Sequence, residues 1–173
     1  MPIMLRGLEG IRAHAGFHLG NSQWICVTEE MINAFSRAID QREEIQLSDA
    51  RVEAPPDAMI VAHGFHTLSL VIPLLQDVFV LEDVGVSEHY GVNHLRFSAP
   101  VPLNSSVRLS VKLAAAELSD DAVHVSLECT MECDASRDPV LYTELLFRYL
   151  PYMQQPAPKA PTTVTGLLRA ASE

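Results

Sequence analysis

The chain has 173 residues, 48% of them hydrophobic, which is enough to bury one sizeable core, so a single domain is expected. Its formal net charge of −10 argues against nucleic acid as a partner, because phosphate binding needs clustered Lys and Arg and the sequence has no such cluster. No basic-then-apolar leader opens the sequence, and no apolar run approaches the roughly 20 residues that span a bilayer, so we expect a cytoplasmic protein that does not enter a membrane.

The three cysteines favour packing over metal binding. Cys129 and Cys133 lie four residues apart in a strand-like run and therefore share one face, while Cys26 stands alone. Buried reduced thiols are typical of cytosolic proteins. The seven histidines form no His-x-x-x-His pair on a predicted helix and no Cys/His ligand spacing, so neither a metal nor a cofactor is expected.

The first helix is predicted to start after Thr28, a hydroxyl cap followed by two carboxylates that the positive end of the helix dipole favours. Apolar residues then fall at helical spacing: Met31, Ile32, Phe35, Ala38 and Ile39. The helix should end near Asp40. A carboxylate at this position is either a helix-end group, bonded to nearby backbone or to Arg42, or a catalytic base, and the pattern alone leaves both open.

The next segment, 41–59, is polar, carries two prolines and has no sustained period, which predicts a long loop of the kind that often builds a site. An almost wholly apolar run follows from Gly64 to Val78 and predicts a helix that is buried on most sides. Pro73 is expected to kink or break it.

The second half of the chain has the period of a β-strand. Apolar and polar residues alternate over 107–113 and 123–133, and the "SDD" at 119–121 indicates a hairpin between them. Further strands are predicted at 141–150 and 86–101, with Gly91 marking a bulge or a close approach of backbone. Together these elements predict an α+β domain in which an antiparallel curved sheet wraps around a central apolar helix. The other sheet face and the edge strands would need cover, most simply by a second subunit.

Four stretches resemble, in order and spacing, the MaoC-like dehydratases, hotdog-fold relatives of (R)-specific enoyl-CoA hydratases. They are "LGNSQWICVTEEMINAF", "IVAHGFHTLSLVIPLL", "HYGVNHLRFSAPVPLNSSVRLSVKL" and "LLFRYL". The resemblance predicts an N-terminal extension at 1–16, a hotdog domain at 17–151 and a Pro/Ala/Thr-rich tail at 152–173. It implies a homodimer that adds or removes water across the α,β-double bond of a thioester of coenzyme A or of an acyl carrier protein.

In that family an Asp and a His after the first long helix position and deprotonate the water, and a backbone N–H at the start of the central helix holds the thioester carbonyl. The resemblance gives Asp40 the place of the Asp, although "AID" replaces Thr-Gly-Asp, and gives Gly64, within an intact "AHGF", the oxyanion position. The family His is missing. Its place is taken by Ile45, or by Gln46 if one extra residue is allowed. A Gln side chain cannot shuttle protons near neutral pH, but its amide can orient water or a carbonyl.

Other polar residues are candidates for the same site. His66, one turn into the predicted central helix, could replace the missing base, and His63 could either fix the loop by hydrogen bonds or contact substrate. Tyr90 and His94 share one side of their predicted strand, with His89 on the other, and any of them could reach the substrate.

Two functions remain open from the sequence. One is an enzyme that acts on an acyl thioester or a related polyketide-like molecule. It would be either a hydratase or dehydratase with a substitute base, or a lyase, cyclase or isomerase in which Asp40 moves a proton. The other is a hotdog protein without chemistry, as a binding module or as the silent half of a heterodimeric dehydratase.

Overall fold

The structure is a computed structural model that describes residues 2–39, 60–120 and 122–152. Its helices are α1 (Gly7–Ala13), α2 (Glu29–Ala38), α3 (Gly64–Ser69) and α4 (Val71–Val78). Its strands are β1 (Ile3–Arg6), β2 (His18–Asn21), β3 (Ile25–Cys26), β4 (Val61–Ala62), β5 (Phe79–Glu82), β6 (Val84–Phe97), β7 (Val101–Pro102), β8 (Ser106–Ser119), β9 (Ala122–Cys133) and β10 (Leu141–Pro151). In these ranges no helix combines the length and the apolar character needed to cross a membrane.

The largest sheet is antiparallel, with strand order β2–β8–β9–β10–β6 and β3 also paired to β8. The register aligns the apolar residues of its inner face in rows, one of which runs through Leu113, Leu127, Leu145 and Val92. The three leucines of this row are at most 1% exposed. The predicted α+β class and the alternating strands are therefore confirmed, as is the hairpin, in which Ser119 pairs with Ala122.

The outer face of the sheet is polar and faces water. Ion pairs join neighbouring strands on this face, with nitrogen–oxygen distances of 2.7–3.0 Å: Arg108–Glu132, Lys112–Glu128 and Arg148–Glu88. Because these groups are partly exposed, each pair contributes only about 0–1 kcal/mol to stability. A face of this kind does not need to be covered by a second subunit. Of the two surfaces that were expected to need cover, only the edge strands remain.

Helix α2 and the cysteines match their predictions. The Thr28 hydroxyl caps α2 by accepting a hydrogen bond from the Met31 N–H at 3.3 Å, and the helix ends at Ala38. Cys129 and Cys133 are buried on the inner face of β9, and burial raises the pKa of the Cys129 thiol to about 12. The Cys129 thiol is therefore protonated, and both cysteines pack in the core as predicted.

The central helix is broken as predicted but is less buried than predicted. It divides at Leu70 into α3 and α4, and Pro73 in the first turn of α4 has no N–H to donate to the preceding turn. One face of α4 packs into the core through Val71, Leu74, Leu75 and Val78, whereas Ile72 on another face is 42% exposed. The expectation of burial on most sides is wrong for a single chain, because the sheet, chiefly through β8 and β2, covers α4 from one side only.

Strand β6 contains the irregularity expected at Gly91. Gly91 pairs with Leu146 while His89 pairs with Phe147, so Tyr90 is the extra residue of a bulge. A Cβ atom on Gly91 would lie 3.1 Å from Leu146 Cδ1, so the backbone also approaches its neighbour closely. Both predictions for Gly91 are confirmed. The strand itself runs from Val84 to Phe97, not from 86 to 101, and β7 follows after a short connection.

Residues before 17 contribute to the core, where the sequence predicted no element. Strand β1 pairs in parallel with β5, and α1 follows it directly. Leu5 and Ile11 of these elements are 1% and 0% exposed. The domain boundaries at 17 and 151 stay a prediction, and residues 153–173 of the tail lie outside the described part of the chain.

Candidate active site

The start of α3 offers a backbone donor. His63 is the N-cap of this helix: its Nδ1 accepts a hydrogen bond from the Phe65 N–H at 3.1 Å, and its carbonyl accepts one from the Thr67 N–H at 3.0 Å. The N–H groups of a first helical turn have no acceptor within the helix. With Phe65 satisfied by the cap, the Gly64 N–H has no hydrogen-bond acceptor in the described part of the chain and can donate to a ligand.

A cavity of about 420 Å³ opens beside Gly64. Small and apolar residues dominate its lining, among them Ala62, Phe97, Ala99, Pro100, Val101 and Val140. Thr67 and Ser98 supply its hydroxyl groups, and no charged side chain from the described residues lines it. The volume lies in the range of about 300–1,000 Å³ that is usual for small-molecule sites. Such a lining suits an uncharged, largely apolar group.

Phe97 explains why residue 64 is glycine. A Cβ atom at this position would lie 3.2–3.3 Å from three carbons of the Phe97 ring, closer than ordinary van der Waals contact. The ring therefore lies against the α-carbon of Gly64. The sequence pattern did not identify Phe97 as a site residue, although it lies within the resembling stretch "NHLRF".

His66 is buried against α2. Its side chain is 5% exposed and stacks on Phe35, with ring centroids 5.1 Å apart, and its Nδ1 has no hydrogen-bond partner among the described residues. Burial, and after it the nearby His63, lowers the pKa of His66 below its ordinary value. His66 is therefore neutral at neutral pH and can accept a proton, but it is not among the described residues that line the cavity.

Tyr90 and His94 lie on the same side of their strand, as predicted, and this side is the outer face of the sheet. The Tyr90 hydroxyl lies 3.4 Å from His124 Nδ1, and His94 Nε2 lies 3.9 Å from a carboxylate oxygen of Glu144. His89 points to the opposite, inner face, where it packs on Phe147 with ring centroids 4.8 Å apart. Within one chain the structure therefore does not bring Tyr90 or His94 to the Gly64 cavity, because the sheet lies between them.

Asp40 and Gln46 lie outside the described residues, so their predicted roles stay predictions. The described chain leads to residue 40 through α2 and Ile39, its C-cap residue. The last turns of α2 lie against α3, because Phe35 stacks on His63 at 5.8 Å as well as on His66. Among the described residues no three His, Cys, Asp or Glu side chains gather in a way that could hold a metal ion.

Known proteins match this chain at the levels of family, sequence and fold. The family model described as "MaoC like domain" matches residues 12–132. A 3-hydroxyacyl-thioester dehydratase Z from Mycobacterium tuberculosis is 33% identical over 141 residues, which cover 81% of this chain and 93% of that protein.

Two solved structures share the fold at low sequence identity. The (R)-hydratase PhaJ1 from Pseudomonas aeruginosa aligns with a TM-score of 0.55 and 16% identity, covering 84% of this chain and 92% of that one. The HadBC (3R-hydroxyacyl-ACP dehydratase) complex from Mycobacterium tuberculosis aligns with a TM-score of 0.57 and 15% identity, covering 78% and 96%. The expected hotdog fold is thereby confirmed.

Burial of His66 predicts a specific dependence of stability on pH. In the unfolded chain His66 is protonated near the ordinary histidine pKa of about 6.5. In the folded chain its pKa is lower, so it is protonated only at lower pH. Between these two pH values the unfolded state binds more protons, so stability falls as the pH falls. In urea denaturation from about pH 7.5 to about pH 5, we expect His66→Phe to lose less stability than the wild type, by up to about 1.4 kcal/mol per pH unit. Equal losses in the two proteins would show that His66 is not buried in a neutral form.

Proposed function

We propose, since this chain belongs to the family of MaoC-like domains, that it is an enzyme that removes water from 3-hydroxyacyl thioesters or adds it to the corresponding enoyl thioesters. The observation that carries this proposal is the Gly64 N–H at the start of α3, which has no acceptor among the described residues and lies beside the apolar cavity. The name of the dehydratase Z relative supports the substrate class.

Gly64 supplies the stabilising donor in this proposal. The thioester carbonyl oxygen accepts the Gly64 N–H, and the acyl group next to it extends into the apolar cavity. Loss of the proton from C2 places negative charge on that oxygen, so a fixed N–H donor stabilises the enolate more than the ground state. Removing one such donor from an oxyanion hole costs about 10²–10³ in kcat.

Asp40 is the proposed base. Its carboxylate takes the proton from C2; the C3–O bond then breaks, and the leaving hydroxyl recovers a proton from the Asp40 carboxyl and departs as water. Hydration is the reverse sequence. Gln46 cannot exchange a proton near neutral pH. Its proposed role is to orient the departing or arriving water through its side-chain amide. His66, neutral at neutral pH, is the candidate for a second proton carrier, and His63 contributes by capping α3.

The carrier of the acyl group is either coenzyme A or an acyl carrier protein. The HadBC neighbour acts on a hydroxyacyl-ACP by its name, which supports a carrier protein as one source. Both carriers deliver the same thioester, so the chemistry at Gly64 is common to them. A cytoplasmic location stays a prediction and agrees with the free thiols of the three cysteines.

The replacement of the family His by Gln46 favours two alternatives. In one, Asp40 moves a proton within the apolar pocket without net transfer of water, as in a lyase, cyclase or isomerase. In the other, the chain is a silent binding module or the silent subunit of a heterodimeric dehydratase, and HadBC is by name a dehydratase complex. Turnover of a 3-hydroxyacyl thioester by the isolated chain separates the main proposal from both.

Replacing the proposed base gives the direct test. We expect Asp40→Asn to lower the kcat for a 3-hydroxyacyl thioester by about 10²–10⁴, the usual contribution of a general base, without changing the circular dichroism spectrum or thermal midpoint. Asp77→Asn, at an exposed position on α4, is the matched control and should keep wild-type turnover. The assignment of Asp40 is wrong if its Asn variant turns over at the wild-type rate.

A homodimer is the second part of the proposal, and β6 is its proposed interface. This strand has 14 residues and, in the described part of the chain, pairs only with β10, so one edge is open. Its side chains Val86 and Val92 are 53% and 38% exposed. A long open edge with exposed apolar residues can pair with a strand of another chain. Two copies of this chain related by a twofold axis would cover each other's edge.

A charge on β6 should break this dimer. We expect wild-type protein to sediment as a dimer and Val92→Asp to weaken the dimer by about 100-fold or more, because leaving an unpaired carboxylate in an interface costs at least about 3 kcal/mol. Leu118→Asp, at a similarly exposed apolar residue of β8, which β9 and β10 separate from β6, should leave the dimer intact. A wild type that is monomeric at all concentrations, or an unchanged dimer in Val92→Asp, would contradict the proposed interface.

A further inference from the structure

Five aromatic rings from three elements surround the start of α3, and we refer to them as the aromatic clamp. Neighbouring rings of the clamp have centroids 5.1–5.9 Å apart. In spatial order they are Phe97 of β6, Phe65 of α3, His63 at the N-cap, Phe35 of α2 and His66 of α3. Such separations are those of favourable aromatic pairs, in which the rings attract one another beyond the burial of their area.

On one side of the amide, the clamp contacts Gly64 itself. Three carbons of the Phe97 ring lie 3.2–3.3 Å from the place where a Cβ atom of Gly64 would be. Phe97 is the last residue of β6, and the next residue donates its N–H to the carbonyl of Val140, immediately before β10, at 2.9 Å. The ring is therefore anchored to the sheet and limits movement of residue 64 towards the cavity.

On the other side, the clamp holds His63 and Phe65, the two residues that flank Gly64 in the chain. Phe35 stacks on His63 at 5.8 Å with an interplanar angle of 27°, and on His66 at 5.1 Å with an angle of 24°. His63 in turn holds the Phe65 N–H through Nδ1. Rotation of the first turn of α3 relative to α2 would break both stacks.

From these contacts we infer that Phe97 and Phe35 are positioning residues that aim the Gly64 N–H into the cavity. The inference rests on the proposed function of that amide as the carbonyl donor. Neither ring is part of the buried core: Phe97 is 41% exposed and Phe35 is half-buried. The two rings therefore serve the geometry of α3 more than the stability of the domain, and a displacement of about 1 Å at a reacting centre can cost about 100-fold in rate.

The geometry of the amide can be measured without any turnover. The chain has eight glycines, so labelling with 15N-glycine gives a sparse amide spectrum, in which the Gly64 signal is assigned by its loss in Gly64→Ala. In Phe97→Ala we expect the Gly64 signal to move, because the ring current of Phe97 is lost, and to broaden or exchange faster, because the first turn is released. Phe35→Ala should cause the same broadening or faster exchange. A Gly64 signal with unchanged exchange and line width in both variants overturns the inference.

Steady-state kinetics gives the second readout. We expect Phe97→Ala and Phe35→Ala to lower kcat by about 10–100-fold while KM changes by less than about threefold, since a misaimed donor weakens transition-state binding more than ground-state binding. Phe97→Tyr keeps the ring and should restore most of kcat. The matched controls are Tyr142→Ala, an equally exposed aromatic on the outer face of β10, and Met31→Ala, a half-buried residue of α2. Both should keep the wild-type kcat and the wild-type Gly64 signal.

The two readouts separate failure of this inference from failure of the proposed function. If wild type turns over no thioester, the proposed function fails, while the labelled-glycine spectra still decide whether the rings hold the amide. If wild type is active and the ring variants lose stability but keep kcat, or if the control variants lose kcat equally, the rings are not positioning residues.

Discussion

Burial of one face of α4 against the inner face of the six-stranded sheet determines where the central helix begins. Val71, Leu74, Leu75 and Val78 hold α4 in the core, so α3, which precedes it, must start at the rim of the sheet beside the end of β6. There the Phe97 ring lies against Gly64, the first residue of the helix, and Gly64 lines the cavity. The candidate chemistry depends on this placement, because a fixed donor stabilises an enolate only where the substrate carbonyl can reach it.

The parts of the fold that local physics decides could be predicted from the sequence. Thr28 caps α2 because a hydroxyl at the N-cap accepts a hydrogen bond from an amide of the first turn, here that of Met31, whatever lies around it. The alternation in β8 and β9 places one set of side chains inside since a strand has a period of two. Pro73 interrupts the central helix for lack of an N–H, and Gly91 allows the close approach of Leu146.

The parts of the fold that depend on contacts between distant segments could not be predicted from the sequence. Strand β1 pairs with β5, far along the chain, and four residues carry too little pattern to predict a parallel pair. The exposure of Ile72 reflects which side of α4 is covered, which periodicity does not encode. In the same way the "AHGF" motif points to Gly64, but the contact of Phe97 with Gly64 arises from tertiary packing. Periodicity correctly puts Tyr90 and His94 on one side of their strand, but it does not show that this side faces away from α3.

A crystal structure of the Asp40→Asn variant with a bound 3-hydroxyacyl thioester would test the central claim most directly. We predict that the carbonyl oxygen lies about 2.7–3.1 Å from the Gly64 nitrogen, with the acyl group in the apolar cavity and the side chain of residue 40 within hydrogen-bonding reach of the substituents on the reacting carbons. A thioester whose carbonyl turns away from Gly64, or a residue 40 that points into solvent far from C2, would contradict it.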